Sequence, residues 1–331
     1  MAFDPSMILR RFAALAALLA AMVATSAWVF YADDRLPSHS ARIGILTIDL
    51  PEGRGAGTAF LVDECGILTN FHVVFGPWYV TALRPPSHDF TATFTLTEVT
   101  LPDGSHPQAR AIPVVWGDYL GADRHLRKPE ADWAYLTLDR CLGAQYGYFD
   151  LTFGYGDAPP VKSYSAIGYS TGRQMIDPDC SARADPAIAG NALLHDCATQ
   201  TGDSGGPIIR DGTLTVVALA SGYRARAGSR TCLAADPIAT DDPFLAWSRG
   251  CANIAVPLTD AIRQRVIDAQ YATEAQRALI ALGFDAGPVG AIESPQALAA
   301  IHRAQRELGW PETDTVTCTL AKILSLRAAL R

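Results

Sequence analysis

Short runs of apolar and β-branched residues, separated by turns that contain Gly, Pro or Asp, extend from residue 41 to residue 258. Such runs predict short β-strands, and many short strands joined by Gly- and Pro-containing turns predict an all-β barrel or sandwich. The clearest runs are residues 43–48, 90–99, 111–116 and 164–168.

Two pairs of these runs have the form of β-hairpins. The runs 55–62 and 67–74 are separated by a polar turn, and an Asp-Gly pair at 211–212 separates 207–210 from 213–219. An Asp-Gly pair between β-branched runs is among the strongest short-range hairpin signals. Both patterns therefore predict antiparallel strand pairs.

The pattern changes after Thr259, where Ala, Leu, Arg and Gln predominate. Apolar residues then recur at helical spacing. Thr273 and Gln276 form a predicted capping box, and Ser294 followed by Pro295 is a typical helix start. The predicted helices span residues 259–270, 273–282, 295–308 and 317–330. The residues predicted to face inward in the last two are Leu298, Ile301, Leu308, Leu320, Ile323 and Leu324.

The N-terminal stretch, residues 1–31, is a predicted targeting segment. Arg10 and Arg11 precede a continuous apolar run over residues 12–30, and small residues at 24–27 offer a site for signal peptidase. This combination predicts a secretory signal. The run is also long enough to span a bilayer, which leaves an uncleaved membrane anchor as the alternative. Both interpretations export the rest of the chain and leave residues 32–40 as a linker.

Composition narrows the classes of partner. The chain of 331 residues has a net charge of −7 and a sequence pI near 5.5, with 49% apolar and 18% charged residues. The sequence has no basic stripe, so nucleic acid is not an expected partner. The seven His residues are scattered and no two Cys residues have the Cys-x-x-Cys spacing of a metal site. Neither a metal nor a cofactor is therefore expected.

Six of the seven Cys residues lie before residue 260, as in a disulfide-bonded exported protein. Six Cys residues can pair in 15 ways. Buried free thiols are the alternative. Cys318 remains unpaired in the helical part and is expected to be a buried thiol. The pairing favoured by proximity along the sequence is Cys180–Cys197 and Cys232–Cys251, which leaves Cys65–Cys141.

The candidate chemistry centres on one serine. Residues 202–207 read Gly-Asp-Ser-Gly-Gly-Pro and place Ser204 on a backbone that can bend sharply and approach a substrate. A nucleophilic serine needs an exposed hydroxyl and nearby backbone N–H groups. Upstream, His72 is predicted at the end of a strand, and Asp132 enters the apolar run 133–138, which would shield its carboxylate. Each residue alone would be an ordinary turn, strand-end or solvated residue, and their occurrence together indicates nucleophilic catalysis.

The serine turn also fits G-x-S-x-G, the nucleophile pattern of the α/β-hydrolases. That fold places its acid and its His after the Ser, and a helix directly behind the Ser. Here the only His after Ser204 is His302, in the helical part, and a predicted hairpin follows the serine. The α/β-hydrolase interpretation is therefore disfavoured.

At these residues the chain resembles the chymotrypsin-like serine peptidases, in particular their bacterial trypsin-like branch. The matching pieces are Thr-Asn-Phe-His at 69–72, Asp-Trp-Ala at 132–134 and the turn 202–207, within a resemblance that covers roughly residues 41–262. The resemblance implies two six-stranded β-barrels with a catalytic triad in the cleft between them.

The same resemblance implies a role for each candidate residue. Ser204 would be the nucleophile, His72 the general base and Asp132 the group that orients the imidazole. The N–H groups of Gly202 and Ser204 would form the oxyanion hole.

A primary substrate pocket is also implied by the resemblance. Trypsin-type enzymes have an aspartate where this chain has Ala198, so a Lys or Arg side chain of a substrate would be buried unpaired. Glu-specific relatives usually place a His near the position of Ala220. A small or medium apolar side chain is therefore the expected preference. The implied pocket residues are Ala198, Thr199, Ser221, Gly222 and Tyr223.

The Arg42–Ile43 bond resembles the activation site of animal relatives, whose freed Ile amino group pairs with the aspartate before the nucleophile, here Asp203. The stretch from Ile43 to His72 is short for the full start of such a barrel. Ile43 is therefore interpreted as the beginning of the first strand.

The helical part at the C-terminal end of the chain resembles the three-helix peptidoglycan-binding domain of bacterial cell-wall proteins. The matching pieces are residues 274–279, 282–289 and 300–305. The loop after Val289 departs from that family, which usually has Asp-Gly there and Gly and Thr at the next helix start. The resemblance implies wall binding, and the alternative is a packing module that stabilises the peptidase or binds another protein.

These patterns predict a mainly β chain, a chymotrypsin-type double six-stranded β-barrel followed by a small three-helix domain. The expected function is an exported, periplasmic or secreted serine endopeptidase that cleaves polypeptides through an acyl-enzyme and is held at the cell envelope by peptidoglycan. Membrane contact is expected only if the N-terminal segment is uncleaved. The alternatives are a catalytically idle envelope scaffold and a hydrolase of peptidoglycan stem peptides. The expected domains are a targeting segment 1–31, a linker 32–40, a trypsin-like peptidase domain 41–270 and a peptidoglycan-binding-like domain 271–331.

Overall fold

The computed structural model describes residues 39–50, 53–81, 90–119, 128–149, 151, 164–184, 192–210, 213–225 and 251–331. All of them belong to one compact unit, His39–Arg331. The predicted targeting segment 1–31, residues 32–38 of the predicted linker and Cys232 lie outside the described residues. The last linker residues belong to a 3₁₀ helix, His39–Arg42.

The first six strands form a closed antiparallel barrel, as predicted. They are β1 Ile43–Leu50, β2 Gly53–Leu61, β3 Gly66–Thr69, β4 Thr91–Thr95, β5 Gln108–Trp116 and β6 Ala134–Leu138. Their order is β1-β2-β3-β6-β5-β4, and β4 pairs with β1 to close the barrel. The alternation of β4 fits this closure, because Ala92 and Phe94 are buried inside while the three Thr residues that alternate with them are not.

The second sheet has seven strands. They are β7 Tyr164–Ser170, β8 Arg173–Cys180, β9 Ala182–Ala184, β10 Leu193–His195, β11 Pro207–Arg210, β12 Val216–Ala225 and β13 Cys251–Pro257. Their order is β8-β7-β11-β12-β13-β10-β9. The two edge strands, β8 and β9, are separated in the chain only by Ser181. Where a second six-stranded barrel was predicted, the described residues thus form a seven-stranded sheet, which is called the second barrel below.

Both predicted hairpins are present. β2 pairs with β3 through Phe60 and Leu68, and β11 pairs with β12 through Ile208 and Ala218. The Asp-Gly turn of the second hairpin lies outside the described residues.

The helices of the described residues are α1 Phe71–Thr81, α2 Leu142–Tyr146, α3 Asp260–Ala281, α4 Pro295–Glu307 and α5 Cys318–Ala329. Helices α4 and α5 begin after Ser294 and Thr317, whose side chains accept hydrogen bonds from the first turn, as the predicted starts require. Leu320 and Leu324 are buried and Ile323 is half-buried, in agreement with their predicted inward face.

Helix α3 differs from the prediction of two helices with a break near residue 271. It is one helix of 22 residues, capped by Thr259. Thr273 is not a helix cap, since its hydroxyl donates to the carbonyl of Ala269 one turn earlier, at 2.8 Å. This bond satisfies the hydroxyl inside the helix, so no break is needed. The predicted domain boundary at residue 270 falls inside this helix.

One large buried cluster lies where the two barrels and α3 meet. Phe60 and Leu68 of the N-terminal barrel pack there with Val256 of the second barrel and with Ile262 and Val266 of α3. A separate cluster joins the last turns of α3 to α4 and α5. Helix α3 therefore packs against the N-terminal barrel, the second barrel and the C-terminal helices α4 and α5.

Two of the three predicted disulfides are present, Cys65–Cys141 and Cys180–Cys197. The third predicted pair includes Cys232 and lies partly outside the described residues. Cys318 is an exposed free thiol, so the prediction of a buried thiol is wrong. It opens α5 on the side away from Leu320, which faces the helical core.

Within the described ranges, no helix is long and apolar enough to cross a membrane. The same ranges contain no group of three or more His, Cys, Asp or Glu side chains that could hold a metal ion.

Candidate active site

His72 and Asp132 lie side by side at one end of the N-terminal barrel. His72 is in the first turn of α1 and not at a strand end as predicted, because the chain turns into a helix directly after β3. Asp132 follows the 3₁₀ helix Pro129–Ala131 and precedes β6. Since β3 and β6 are paired through Thr69 and Ala134, the residues just beyond that pair meet.

The Asp132 carboxylate binds His72 twice. Its Oδ2 lies 2.6 Å from His72 Nδ1, and its Oδ1 accepts the backbone N–H of His72 at 2.9 Å. The Asp132 side chain is 0% exposed, whereas that of His72 is 32% exposed. Asn70 holds the same segment by donating from Nδ2 to the Asp132 carbonyl at 2.7 Å. A shielded carboxylate at Nδ1 orients the ring and favours the tautomer with the proton on Nδ1, which leaves Nε2 as the free acceptor.

Ser204 lies in a turn whose glycines are required by its geometry. The φ angle is +105° at Gly202 and +86° at Gly205, a region that L side chains rarely adopt. A Cβ on Gly205 would also lie only 2.2 Å from the Thr58 carbonyl oxygen. The Ser204 carbonyl accepts the Thr58 N–H at 2.8 Å, and the Gly205 N–H donates to the Ala220 carbonyl at 2.8 Å. The serine is therefore fixed between β2 and β12.

Ser221 connects the serine with the carboxylate. Its hydroxyl donates to Asp132 Oδ2 at 2.5 Å, and its carbonyl accepts the Ser204 hydroxyl at 3.0 Å. Among the described residues, the Ser204 hydroxyl donates to the Ser221 carbonyl and forms no hydrogen bond with His72. A Cβ on Gly57 would lie 2.7 Å from the Val73 side chain, in the first turn of α1, and 3.1 Å from the Ser204 carbonyl oxygen. The serine turn therefore lies next to the helix that carries His72. Catalytic hydrogen bonds often tighten only when substrate binds.

Asp203, the residue before the serine, is buried. Its Oδ2 accepts the Gln200 N–H at 2.6 Å, and its Oδ1 has no hydrogen-bond partner in the part of the chain that the structure describes. Burial raises the pKa of this carboxyl, and the bond from Gln200 opposes the shift.

The Arg42–Ile43 bond is closed to a protease in this structure. Arg42 is 3% exposed, and Ile43 is buried in β1, where it pairs with Phe60. This placement agrees with the interpretation of Ile43 as the start of the first strand.

The implied pocket residues Ala198 and Thr199 follow the disulfide-bonded Cys197. Ala198 is exposed and its N–H donates to Asp177 Oδ2 at 2.6 Å, while Thr199 is half-buried. The Asp177 carboxylate is thus bound to the backbone at this position.

The other implied pocket residues belong to β12. Gly222 lies opposite Ile254 of β13. Ser221 is buried and its hydroxyl points to Asp132, so only its backbone can line a pocket. Of Tyr223, the structure describes only the backbone, which pairs with Asn253.

The second barrel contains a buried histidine that the sequence did not single out. His195 lies at the end of β10, paired with Asn253 on one side and Ala182 on the other. It is buried, and neither ring nitrogen has a hydrogen-bond partner among the described residues. Burial lowers its pKa to about 4, so the ring is neutral at neutral pH.

Two contributions to the site were missed from the sequence. One is the contact of Ser221 with Asp132. The other is Thr58, whose hydroxyl donates to the Gly202 carbonyl at 2.8 Å and accepts the Tyr169 N–H at 2.9 Å. Thr58 and Gly202 are 144 residues apart, and no local pattern signals such a contact.

The family model described as "Trypsin-like peptidase domain" matches residues 57–219. The matched range contains His72, Asp132 and Ser204. No curated protein sequence matches the chain.

Three solved structures with a similar fold are distant from this chain in sequence. A thermostable serine protease, AL20, from an extremophilic microorganism is 16% identical, with a TM-score of 0.45 over 70% of this chain and 97% of that one. A Glu endopeptidase is 19% identical, with a TM-score of 0.46 over 71% and 93%. The active form of the Rv3671c protease from M. tuberculosis is 18% identical, with a TM-score of 0.38 over 66% and 77%.

Proposed function

Residues 57–219 of this chain are a trypsin-like peptidase domain, the domain of serine endopeptidases, and on this premise we propose that His72, Asp132 and Ser204 are its catalytic triad. The observation that carries the proposal is the 2.6 Å contact between His72 Nδ1 and the fully buried Asp132 carboxylate, next to the serine turn. Burying a carboxylate costs several kcal/mol unless it is paired, so its position against a partly exposed imidazole favours a catalytic role.

The roles follow from this arrangement. Ser204 attacks the carbonyl carbon of the scissile peptide bond while His72 Nε2 takes the hydroxyl proton. Asp132 keeps the ring oriented and stabilises the imidazolium. His72 then gives the proton to the leaving amine, and an acyl-enzyme remains on Ser204. Water, deprotonated by the same imidazole, releases the second product and restores the serine.

The oxyanion that forms on the substrate carbonyl needs hydrogen-bond donors. The N–H groups of Gly202 and Ser204 are assigned to this role. Among the described residues neither donates to a protein acceptor, so both are available to a substrate. Loss of one such donor typically costs about 3 kcal/mol of transition-state stabilisation.

The substrate class is a polypeptide with a small or medium apolar residue before the cleaved bond. Ala198 and Thr199 bring no charge to the pocket, and the Asp177 carboxylate is bound to the Ala198 N–H. Neither of these two residues supplies the carboxylate that trypsin-type enzymes have at the position of Ala198, and on this ground we expect a cationic substrate side chain to be disfavoured.

We also propose that the peptidase acts outside the cytoplasm. The Cys65–Cys141 and Cys180–Cys197 disulfides support this, because such bonds persist in oxidising compartments. The apolar N-terminal run supports export as well. Attachment to the envelope by residues 271–331 stays a prediction, which co-sedimentation with purified peptidoglycan sacculi tests.

The test of the triad is labelling with a fluorophosphonate, followed by cleavage of a random-peptide library. We expect labelling and cleavage by the wild-type protein and neither by Ser204→Ala, with turnover lower by roughly a million-fold. The cleavage sites define the pocket directly. A wild-type protein that folds but neither labels nor cleaves would be the idle scaffold. Release of stem peptides from muropeptides without peptide-library cleavage would identify the peptidoglycan hydrolase instead.

A further inference from the structure

Helix α3 joins the C-terminal helices to the peptidase without a linker. Its first turns are fixed by Arg263, whose buried guanidinium donates to the carbonyls of Leu151, Val216 and Leu258 at 2.7–2.9 Å. Its last turns enter the core of the C-terminal helices, where Leu279 is fully buried. At 1.5 Å per residue the helix extends for about 33 Å. The C-terminal helices are thus carried on a rigid element and not on a flexible tether.

Arg277 lies on the last turns of α3 and reaches into the N-terminal barrel. Its Nη2 donates to Thr137 Oγ1 at 2.9 Å and to the carbonyl of Leu138, the last residue of β6. The Leu138 N–H in turn donates to the Cys65 carbonyl at 2.6 Å, directly before β3. Burial lowers the pKa of Arg277, and the nearby Asp63 opposes this shift. One guanidinium therefore holds the end of β6, which is bonded to the start of β3.

A loop of the helical part, residues 286–292, is shaped by one glutamine. Gln276 Nε2 donates to the carbonyls of Ala286 and Pro288 at 2.8 and 2.9 Å, and Gln276 Oε1 accepts the Gly290 N–H at 2.9 Å. This loop includes Gly290 and Ala291, where the peptidoglycan-binding family usually has Asp-Gly.

The same loop packs on the outside of the N-terminal barrel. A Cβ on Gly290 would lie 3.0 Å from Ile112 Cγ2, and φ at Gly290 is +94°. Ile292 packs against the central cluster together with Val114 and Val115 of β5. This loop therefore packs against the N-terminal barrel of the same chain.

Strands β3 and β6 connect this contact with the triad. They pair from Gly66 opposite Thr137, at the Arg277 end, to Thr69 opposite Ala134, at the other end. The distance between these two ends is about 10 Å, at 3.3 Å per residue. His72 and Asp132 lie just beyond the second end, so a shift of one strand along the other would separate the imidazole from its carboxylate.

We propose that residues 271–331 are an internal clamp on the N-terminal barrel, and that Arg277 is a positioning residue that keeps His72 and Asp132 in register through β3 and β6. The role in positioning rests on the proposed triad. The clamp itself rests on the contacts of Arg277, Gly290 and Ile292, and it explains why no linker precedes the helical part.

The test compares Arg277→Ala and Arg277→Lys with Arg306→Ala, a control on α4 whose side chain is 56% exposed. Active sites are first counted by titration with a fluorophosphonate, and kcat and KM are then measured per titrated site well below the unfolding temperature. We expect Arg277→Ala to lower kcat about tenfold with KM unchanged, since a small misplacement of catalytic groups reduces rate and not binding. Arg277→Lys restores part of the loss by replacing one bond, and the Arg306→Ala control stays at the wild-type kcat.

Hydrogen exchange in β3 and β6 is measured on the same proteins. Faster exchange in Arg277→Ala than in the control supports the clamp. Unchanged kcat per site together with a lower titratable fraction would overturn the positioning role and leave a stabilising one. Unchanged exchange and unchanged kcat would overturn the whole proposal. A wild-type protein that does not label contradicts the triad alone, and the clamp is then judged by exchange.

Discussion

Two aspartates at opposite ends of the N-terminal barrel, Asp132 buried and Asp63 half-buried, serve different purposes. Asp132 binds His72 and Ser221 and faces the cleft. Asp63 accepts the Cys65 N–H at 2.7 Å and the Tyr135 hydroxyl at 2.9 Å, on the side of α3. Burial raises the pKa of Asp63, and the bonds from Cys65 and Tyr135 oppose that shift. A carboxylate shielded from water therefore does not by itself mark an active site. The partner of the carboxylate distinguishes the two, since Asp132 binds a partly exposed imidazole and Asp63 binds a buried phenol.

The two ends also differ in how they are held. The Asp132 end depends on the second barrel, whose serine turn brings Ser204 and whose strand β12 brings Ser221. The Asp63 end depends on α3, through Arg277 and through Gln270, whose Nε2 donates to the Val62 carbonyl at 3.4 Å. The proposed catalytic residues and the contacts with α3 thus lie at opposite ends of β3 and β6.

The largest expected difference between the two ends is the change in kcat when each aspartate is replaced by asparagine. Asp132→Asn should lower kcat by roughly ten-thousand-fold, because the amide favours the wrong imidazole tautomer. Asp63→Asn should leave kcat within about twofold, since its neighbours are structural. Turnover of a peptide found in the library measures both. Comparable losses in the two variants would show that the ends are not functionally distinct.

Replacing a glycine by alanine should cost more unfolding free energy in the serine turn than in the loop 286–292. Gly205→Ala should lose about 4 kcal/mol of unfolding free energy, because its Cβ would meet the Thr58 carbonyl in addition to the positive-φ strain. Gly290→Ala, whose Cβ would meet a side chain, should lose about 2 kcal/mol. The control is Gly172→Ala, with φ of +80° and open space, which should lose about 1 kcal/mol. Urea unfolding measures all three, and equal losses would refute the packing argument.

The pH dependence of stability tests the second barrel, away from both aspartates. The folded pKa of His195, about 4, lies below its ordinary value of 6.5, so the folded state binds fewer protons than the unfolded state. The stability that depends on neutral His195 is present above pH 6.5 and is lost as pH falls through 4, by about 3 kcal/mol in total. Urea unfolding at pH 7 and pH 4.5 should show a smaller difference for His195→Leu than for the wild type. An unchanged difference would mean that the ring is not buried as described.

Asp63 should show the opposite pH response. Its folded pKa is raised, so its contribution to stability is present below the unfolded pKa and is lost as pH rises through the folded pKa. Asp63→Asn removes this titration. The unfolding free energy of the variant should therefore fall less between pH 4 and pH 7 than that of the wild type, measured in a His195→Leu background. A steeper fall in the variant would contradict the burial of this carboxyl.

Local pattern was sufficient for much of the fold. The two hairpins and the starts of α4 and α5 follow from alternation, turn residues and helix caps, all of which are short-range signals. The same signals misplaced His72, because the apolar run after Thr69 suits a buried helix as well as a strand. They also suggested a break at Thr273, where a hydroxyl that bonds within the helix makes the capping pattern irrelevant.

The sequence by itself determined the residue types, their order along the chain, the strand and helix alternation and the serine turn. The tertiary structure alone decided which residues meet across long separations. Ser221 reaches Asp132 over 89 residues and Arg277 reaches Thr137 over 140. The physical reason is that these contacts depend on how the barrels and α3 pack. Periodicity marks which face of a segment is buried, but it does not mark which distant segment will cover that face.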